Sequence, residues 1–180
     1  MKKQITITLD PKSVDEAIKE LERYKAELKE KCTRLTQLLI EKGIENVEYI
    51  ILNTSYLDTG ELLSGLRRDA AAAISTTATG KIVGYISVSS DYAVYVEFGT
   101  GVIGSSSPHD LASELGYVYG KSENGWWYPT DEADPNPTKF EAEDGKLIAH
   151  TKGQPAKSFM YDTALYLRDI FFETAKEVFG

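Results

Sequence analysis

The order of apolar and polar positions along the chain predicts a succession of elements. Gln4 to Leu9 alternates polar and apolar residues, which places Ile5, Ile7 and Leu9 on one face of a short strand. Asp10-Pro11 then opens a helix, since proline suits the first helical turn. Ser13-Val-Asp-Glu16 supplies a capping-box pattern just inside it. Apolar residues follow at 14, 17, 18, 21, 28, 32, 35, 38 and 39, a narrow stripe at helical period. Gly43 reads as the helix end, with Ile44 placed to close a Schellman-type cap. About thirty residues at 1.5 Å each make roughly 45 Å of helix, long for a domain of this size.

Val47 to Leu52 (VEYIIL) reads as a strand, and Asp58-Thr-Gly-Glu-Leu-Leu as a short helical turn capped by Asp58 or Thr59. Residues 67–77 and 81–89 read as two strands of a hairpin turning at 78–81, with Ile82, Gly84, Ile86 and Val88 sharing one face. A short helix follows, with Tyr92, Tyr95 and Val96 at helical spacing and Phe98 closing the turn. Gly99 offers the positive φ that a helix stop often needs. Residues 101–125, rich in Gly and Ser, predict a mobile loop. An irregular hairpin is expected over 126–151, from WWYPT through an acidic, Pro-containing tip to KLIAHT. A last helix is expected over 158–179, with Ser158 as its N-cap. Its buried face would be Met160, Ala164, Leu167, Phe171, Ala175 and Val178, three or four residues apart. The fold class is therefore α+β: a mainly antiparallel sheet packed by a long N-terminal helix (14–43) and a C-terminal helix. A single domain over 1–180 is expected, with the loop and the extended hairpin as excursions.

Composition narrows the possibilities. A hydrophobic fraction of 42% supports a genuine core. The 20 basic and 28 acidic residues leave a net charge of −8, which argues against gripping nucleic acid but not against a surface that DNA slides past. Cys32 has no partner for an intramolecular disulfide and reads as a small hydrophobe on a helix face, which fits assembly in the cytoplasm. No apolar run approaches the roughly 20 residues that span a bilayer. The opening MKKQITITLD has two lysines but no apolar core, so it is not read as a signal peptide.

Candidate chemistry is sparse. Ser105-Ser-Ser-Pro-His109-Asp110 holds the residue types of a hydrolase triad, but groups so close in sequence rarely reach triad geometry, and the segment is read as a flexible linker. His150 and Cys32 add weak material for zinc. Asp131, Glu132 and Asp134 lack the Gly and distal Glu of a calcium-binding EF-hand loop and read as a solvated tip. No phosphate-binding glycine motif is present. No cofactor or metal is therefore expected, and no catalytic residue. In Trp126-Trp127-Tyr128 the first and third residues share a face. They either plug the hairpin onto the domain or offer an aromatic surface to a protein partner, with sugar stacking a less favoured use. Glu97, set among apolar neighbours, needs a partner. It either hydrogen-bonds the loop amides of Thr100 and Gly101 or pairs with a basic residue across a subunit boundary.

Three stretches, LDTGELLSGL (57–66), DYAVYVEFGTG (91–101) and TKGQPAKSFMYDTAL (151–165), together resemble one family. It is the neck or tail-completion proteins of long-tailed double-stranded DNA phages, the class typified by gene product ten of phage HK-ninety-seven. The resemblance spans roughly residues 15 to 179. Tyr92, Ala93, Tyr95, Glu97, Phe98, Gly99 and Thr100 occupy the central motif, and Pro155, Phe159, Met160 and Ala164 the second. One departure is Ser158, where the family often has proline before the Phe: an N-cap serine replaces a rigid proline, which keeps the fold but does not carry over the fixed entry angle of that loop. The resemblance implies a non-enzymatic virion protein of a phage or prophage, a ring (commonly a hexamer) that joins head to tail. Its implied partners are further copies of itself, the adaptor or portal side and the tail-tube side, with no sequence-specific nucleic acid and no membrane. Exposed strand edges, the 91–101 turn and the aromatic hairpin with Trp126 and Tyr128 are expected to form the assembly interface, since edge strands template pairing with a second chain and aromatic surface suits an interface centre. Two rivals remain at this level: a tail-associated cell-wall hydrolase, and a glycan-binding module using Trp126 and Tyr128.

Overall fold

The computed structural model describes residues 10–54, 59–70, 72–120, 123–134, 136 and 138–180. The strand expected over 4–9 and the cap at Asp58 lie outside them. The fold is α+β. Helix α1 (Pro11–Thr54) is followed by α2 (Thr59–Gly65) and strands β1 (Ile74–Thr76) and β2 (Ile82–Gly84). Then come α3 (Ala93–Phe98), α4 (Gly101–Ser106), β3 (Trp126–Pro129), β4 (Lys139–Glu141), β5 (Leu147–Thr151), β6 (Gly153–Gln154) and α5 (Phe159–Phe179). The chain divides into two compact units: residues 1–41, 69–85 and 170–180 form the first, and 42–68 with 86–169 the second. Unit 1 holds as many acidic as basic residues, so the whole net charge of −8 falls in unit 2.

Helix α1 starts where the sequence indicates, but the Asp10 carboxylate takes the capping role, accepting from the Ser13 amide at 3.0 Å. It does not end at Gly43. It runs 44 residues, through the segment expected to be a strand over 47–52. Burial there follows the helical period: Ile44, Val47 and Ile51 are buried while Tyr49 is 65% exposed, the reverse of what a strand alternating through Val47, Tyr49 and Ile51 would give. Gly43 serves clearance rather than termination. A Cβ there would stand 2.3 Å from Ile86 Cδ1 and 3.1 Å from Leu167 Cδ1, so glycine lets two neighbouring segments of unit 2 close on the helix.

In unit 1, β1 and β2 pair antiparallel with Ile74 opposite Gly84 and Thr76 opposite Ile82. The turn between them is closed by the Thr77 amide on the Lys81 carbonyl at 2.8 Å. The hairpin is as expected, though its strands are shorter. β2 lies directly on α1: a Cβ at Gly84 would sit 2.6 Å from Ile40 Cδ1. In unit 2, the expected 126–151 hairpin becomes a three-stranded antiparallel sheet ordered β3-β5-β4. Trp126 pairs with Thr151 and Pro129 with Ile148, while Phe140 pairs with the same Ile148 from the other side. Proline on an outer strand fits, because an edge leaves alternate N–H groups without ladder partners.

Two expectations fail in instructive ways. The loop over 101–125 holds α4, and beyond it the amides of Ala112, Leu115 and Tyr117 bond back to local carbonyls. His109 and Ala112 are buried. The buried face of α5 is also rotated: Phe159, Thr163 and Thr174 are buried, while Ala164 is exposed and Phe171 is 41% exposed. Threonine can occupy that face because each hydroxyl is satisfied within the helix, Thr163 on the Phe159 carbonyl at 2.7 Å and Thr174 on that of Ile170 at 3.0 Å. Asn46 on α1 adds a bond to the Thr163 hydroxyl at 3.0 Å.

Candidate functional site: a buried carboxylate junction beside an aromatic cavity

The two motifs that carry the resemblance meet in unit 2. Segment 154–158 runs across the end of α3, where the Lys157 amide donates to the Val96 carbonyl at 2.9 Å and the Ser158 amide to that of Glu97 at 3.1 Å. The contact is close enough to require Gly99, at φ 78. A Cβ there would lie 2.6 Å from the Ala156 nitrogen, 2.7 Å from the Gln154 oxygen and 2.8 Å from the Pro155 carbonyl carbon. Thr100 continues the seam by accepting from the Gln154 amide at 3.2 Å. Phe159 is buried below it.

Glu97 organises this junction. Its side chain is buried, and its carboxylate reaches the N-terminus of α5, accepting from the Met160 amide (Oε2, 2.9 Å) and the Tyr161 amide (Oε1, 3.0 Å). A carboxylate at a helix N-terminus satisfies orphan N–H groups and meets the positive end of the helix dipole. The cap of α5 is thus a glutamate sixty residues away. Ser158 still provides the first helical carbonyl, for the Asp162 amide at 2.7 Å, from a left-handed backbone at φ 49. Glu97 is satisfied within the chain, as one of the two readings held, but its donors are not the expected Thr100 and Gly101 amides.

The third ligand of Glu97 is His109, at 3.2 Å from Nε2 to Oε1. The Leu111 amide points at His109 Nδ1 at 3.0 Å, which makes Nδ1 the acceptor and leaves Nε2–H to donate to Glu97. The imidazole is wedged among aromatic rings, tilted on Phe98 at 4.5 Å and edge-on to Tyr161 at 5.2 Å. Tyr117 stacks on the far side of Phe98 at 4.7 Å and donates its hydroxyl to the Gly99 carbonyl. Tyr119 accepts from the His109 amide at 2.9 Å. The triad reading of this segment has no geometry behind it. Ser105 and Ser106 turn their hydroxyls onto the carbonyls of Val102 and Ile103, and both ring nitrogens of His109 are occupied.

Beside the junction lies a cavity of about 550 Å³, walled by Tyr95, Tyr117, Trp126 and Tyr128, with Thr100 and Gln154 among its polar lining. β3 alternation puts Trp126 and Tyr128 on this side. Trp127 faces the other way, edge-on to His150 at 5.0 Å, and the Nε2 of His150 lies 2.7 Å from the Asn124 carbonyl oxygen. Among the described residues, none that lines the cavity is charged. Burial pushes the Tyr117 phenol above its ordinary pKa, and burial with the Asp134 hydrogen bond does the same for Tyr128, so the walls stay neutral. The polar groups are largely engaged already. Tyr128 donates to Asp134 and accepts from Asn136, Thr151 accepts from the Gly153 amide, and Gln154 Nε2 donates to the Tyr95 carbonyl.

The acidic tip is likewise self-contained. Asp131 accepts from the amides of Ala133 and Asp134, and Asp134 from Thr130, Tyr128 and the Asn136 amide. No cluster of metal-ligating side chains occurs among the described residues.

Of the residues singled out from sequence, Glu97, Phe98, Gly99, Thr100, Pro155, Phe159 and Met160 come together at the junction, and Tyr95, Trp126 and Tyr128 at the cavity. Tyr92 and Ala93 begin α3 behind them, Ala93 being buried. Tyr117 and Tyr119 escaped sequence reasoning, as did the roles of His109, read as part of a linker, and of Gln154. Tyr117-Val-Tyr119, two aromatics at alternate positions within a Gly/Ser-rich stretch, was the signal that the segment packs. Family models, curated proteins and solved structures give no match to this chain.

Proposed function

We propose that this protein is a neck or tail-completion component of a tailed phage or prophage, a non-enzymatic virion protein that joins head to tail as a homo-oligomeric ring. The observation that carries the reading is the junction itself. Two motifs sixty residues apart, quoted for a single family, are joined through Glu97 and the N-terminus of α5, so they act as one structural device. In this role the junction sets the aromatic cavity and the outer strand β3 as a joining surface, toward an adaptor or portal protein on one side and a tail-tube protein on the other. The engaged hydroxyls around the cavity favour an apolar side chain of a neighbouring protein over a sugar, which needs free donors and acceptors. The engagement of Ser105, Ser106 and His109 weighs against a cell-wall hydrolase. The negative charge concentrated in unit 2 suits a surface past which DNA moves without adhering.

The test is genetic and visual. In a phage or prophage carrying the gene, its deletion leaves filled heads and free tails unjoined in electron micrographs. A Trp126→Ala, Tyr128→Ala double variant gives the same particles while the purified protein retains its far-UV circular dichroism. Joined virions with a defect confined to wall penetration would refute the reading.

A further inference from the structure

Tyr95, Tyr117, Trp126 and Tyr128 line a single cavity within unit 2. Tyr95 and Trp126 are 53% and 37% exposed, so these two rings are reachable from solvent, while Tyr117 and Tyr128 are half-buried. Aromatic rings carry negative charge on their faces and attract cations, Trp most strongly. Two features strengthen that attraction here. Tyr128 donates its hydroxyl to the Asp134 carboxylate at 2.7 Å. Desolvation of this carboxyl is outweighed by the hydrogen bonds it accepts and by Lys139 nearby, so it is ionised at neutral pH and makes the Tyr128 ring more electron-rich. Lys139 turns its ammonium onto the Asp131 and Glu132 carbonyls, at 2.9 Å each. The whole net charge of −8 also falls in unit 2, which concentrates cations around it. Lys152 lies between Thr151 and Gly153 in sequence but is not among the lining residues.

Which cation fits follows from the hydrogen bonds already made. The hydroxyls of Tyr117 and Tyr128 donate to the Gly99 carbonyl and to Asp134. Thr100 and Thr151 accept from the Gln154 and Gly153 amides, and Gln154 Nε2 donates to the Tyr95 carbonyl. A primary ammonium or a guanidinium brings N–H groups that need acceptors, and this lining has few to give. A quaternary ammonium brings none. Its methyl groups leave water for the rings at no cost in hydrogen bonds, and its charge is met by the ring quadrupoles and by the carboxylate behind Tyr128. We propose that the cavity binds a quaternary ammonium group, a trimethylammonium head of the choline type. The site goes beyond the head–tail reading and does not depend on it. The cation fills the cavity of the free chain, and a neighbouring side chain entering it in an assembled particle would exclude the cation.

The probe is choline, titrated calorimetrically into the full chain at neutral pH. Its comparison is dimethylbutanol, the neutral analogue in which carbon replaces the charged nitrogen. Choline should bind about tenfold more tightly than the analogue, and its affinity should fall as salt is raised. Trp126→Ala and Tyr95→Ala should each weaken choline binding about tenfold. Far-UV circular dichroism checks the fold of both, and the exposed Tyr95 keeps the test decisive where Trp126→Ala fails to fold. Phe140→Ala, on the other face of the sheet, should bind as wild type does. Asp134→Asn should weaken binding of choline and leave the analogue unchanged, and an unaltered choline affinity would overturn the part given to that carboxylate. Binding of choline without binding of phosphatidylcholine vesicles marks a soluble ligand, and binding of both marks a lipid headgroup. Absence of choline binding, equal affinity for the two probes, or binding indifferent to both Trp126 and Tyr95 overturns the proposal. Each of those results leaves the joining of heads and tails untouched, and virions that join without the gene would leave choline binding untouched.

Discussion

Replacing Glu97 with alanine removes three hydrogen bonds at once from a buried position. The Met160 and Tyr161 amides lose their acceptor, and with it α5 loses its N-terminal cap. Loss of a cap costs about 1–2 kcal/mol. The Nε2–H of His109, itself buried, is left without a partner, at a further cost of about 1–3 kcal/mol. Glu97→Ala should therefore destabilise the protein by about 2–5 kcal/mol. Glu97→Gln keeps one acceptor oxygen and should lose about 1–2 kcal/mol. Urea unfolding followed by far-UV circular dichroism and by Trp126 and Trp127 fluorescence measures both. The midpoint should fall with little change in slope. In a double-mutant cycle with His109→Ala the two losses should be non-additive by about 0.5–3 kcal/mol. A cost for Glu97→Ala below about 0.5 kcal/mol would refute the junction as a source of stability. A cost that appears only at concentrations where the protein associates would place the partner of Glu97 on another subunit.

Three further outcomes follow from the same geometry. Gly99→Ala should cost about 2–4 kcal/mol, from an unfavourable φ plus contacts under 3 Å with backbone of segment 154–156, and a neutral melt would contradict that packing. Ile51→Ala, at a fully buried position, should cost about 2–5 kcal/mol, while Phe171→Ala, at a partly exposed one, should cost well under half of that, and equal costs would show the buried face of α5 misassigned. Burial alone would raise the Asp134 carboxyl, but the hydrogen bonds from Thr130, Tyr128 and the Asn136 amide, with Lys139 nearby, hold it below the ordinary aspartate value. The ionised form therefore favours the folded state. Its contribution is present above about pH 4 and is lost as pH falls through the lower folded value. Asp134→Asn should be less stable than wild type at neutral pH, the gap closing in acid, and a gap independent of pH would refute the assignment.

Where structure rests on neighbours three or four residues apart, the sequence was a sufficient guide. The start of α1 after Asp10-Pro11, the turn at 77–81 and the end of α3 before Gly99 are all local decisions, and the antiparallel return of 126–151 needs only two apolar runs and a polar tip. The α+β class follows from these. Gly43 marks the limit of such reasoning. A glycine ends a helix or clears room for a neighbour, and only the arrival of Ile86 and Leu167 selects the second role, carrying Val47–Leu52 into the helix with it. The same limit governs the candidate site. Glu97 plainly required partners, yet its donors stand twelve to sixty-four residues away, and His109 looked like part of a mobile linker until the rings of Phe98 and Tyr161 enclosed it. Thr163 and Thr174 are buried because the helix itself satisfies their hydroxyls, which a polarity pattern does not register. Local sequence determines which backbone shape is cheap. Which polar groups are buried, and what satisfies them, depends on segments distant in the chain, and tertiary packing alone decides it.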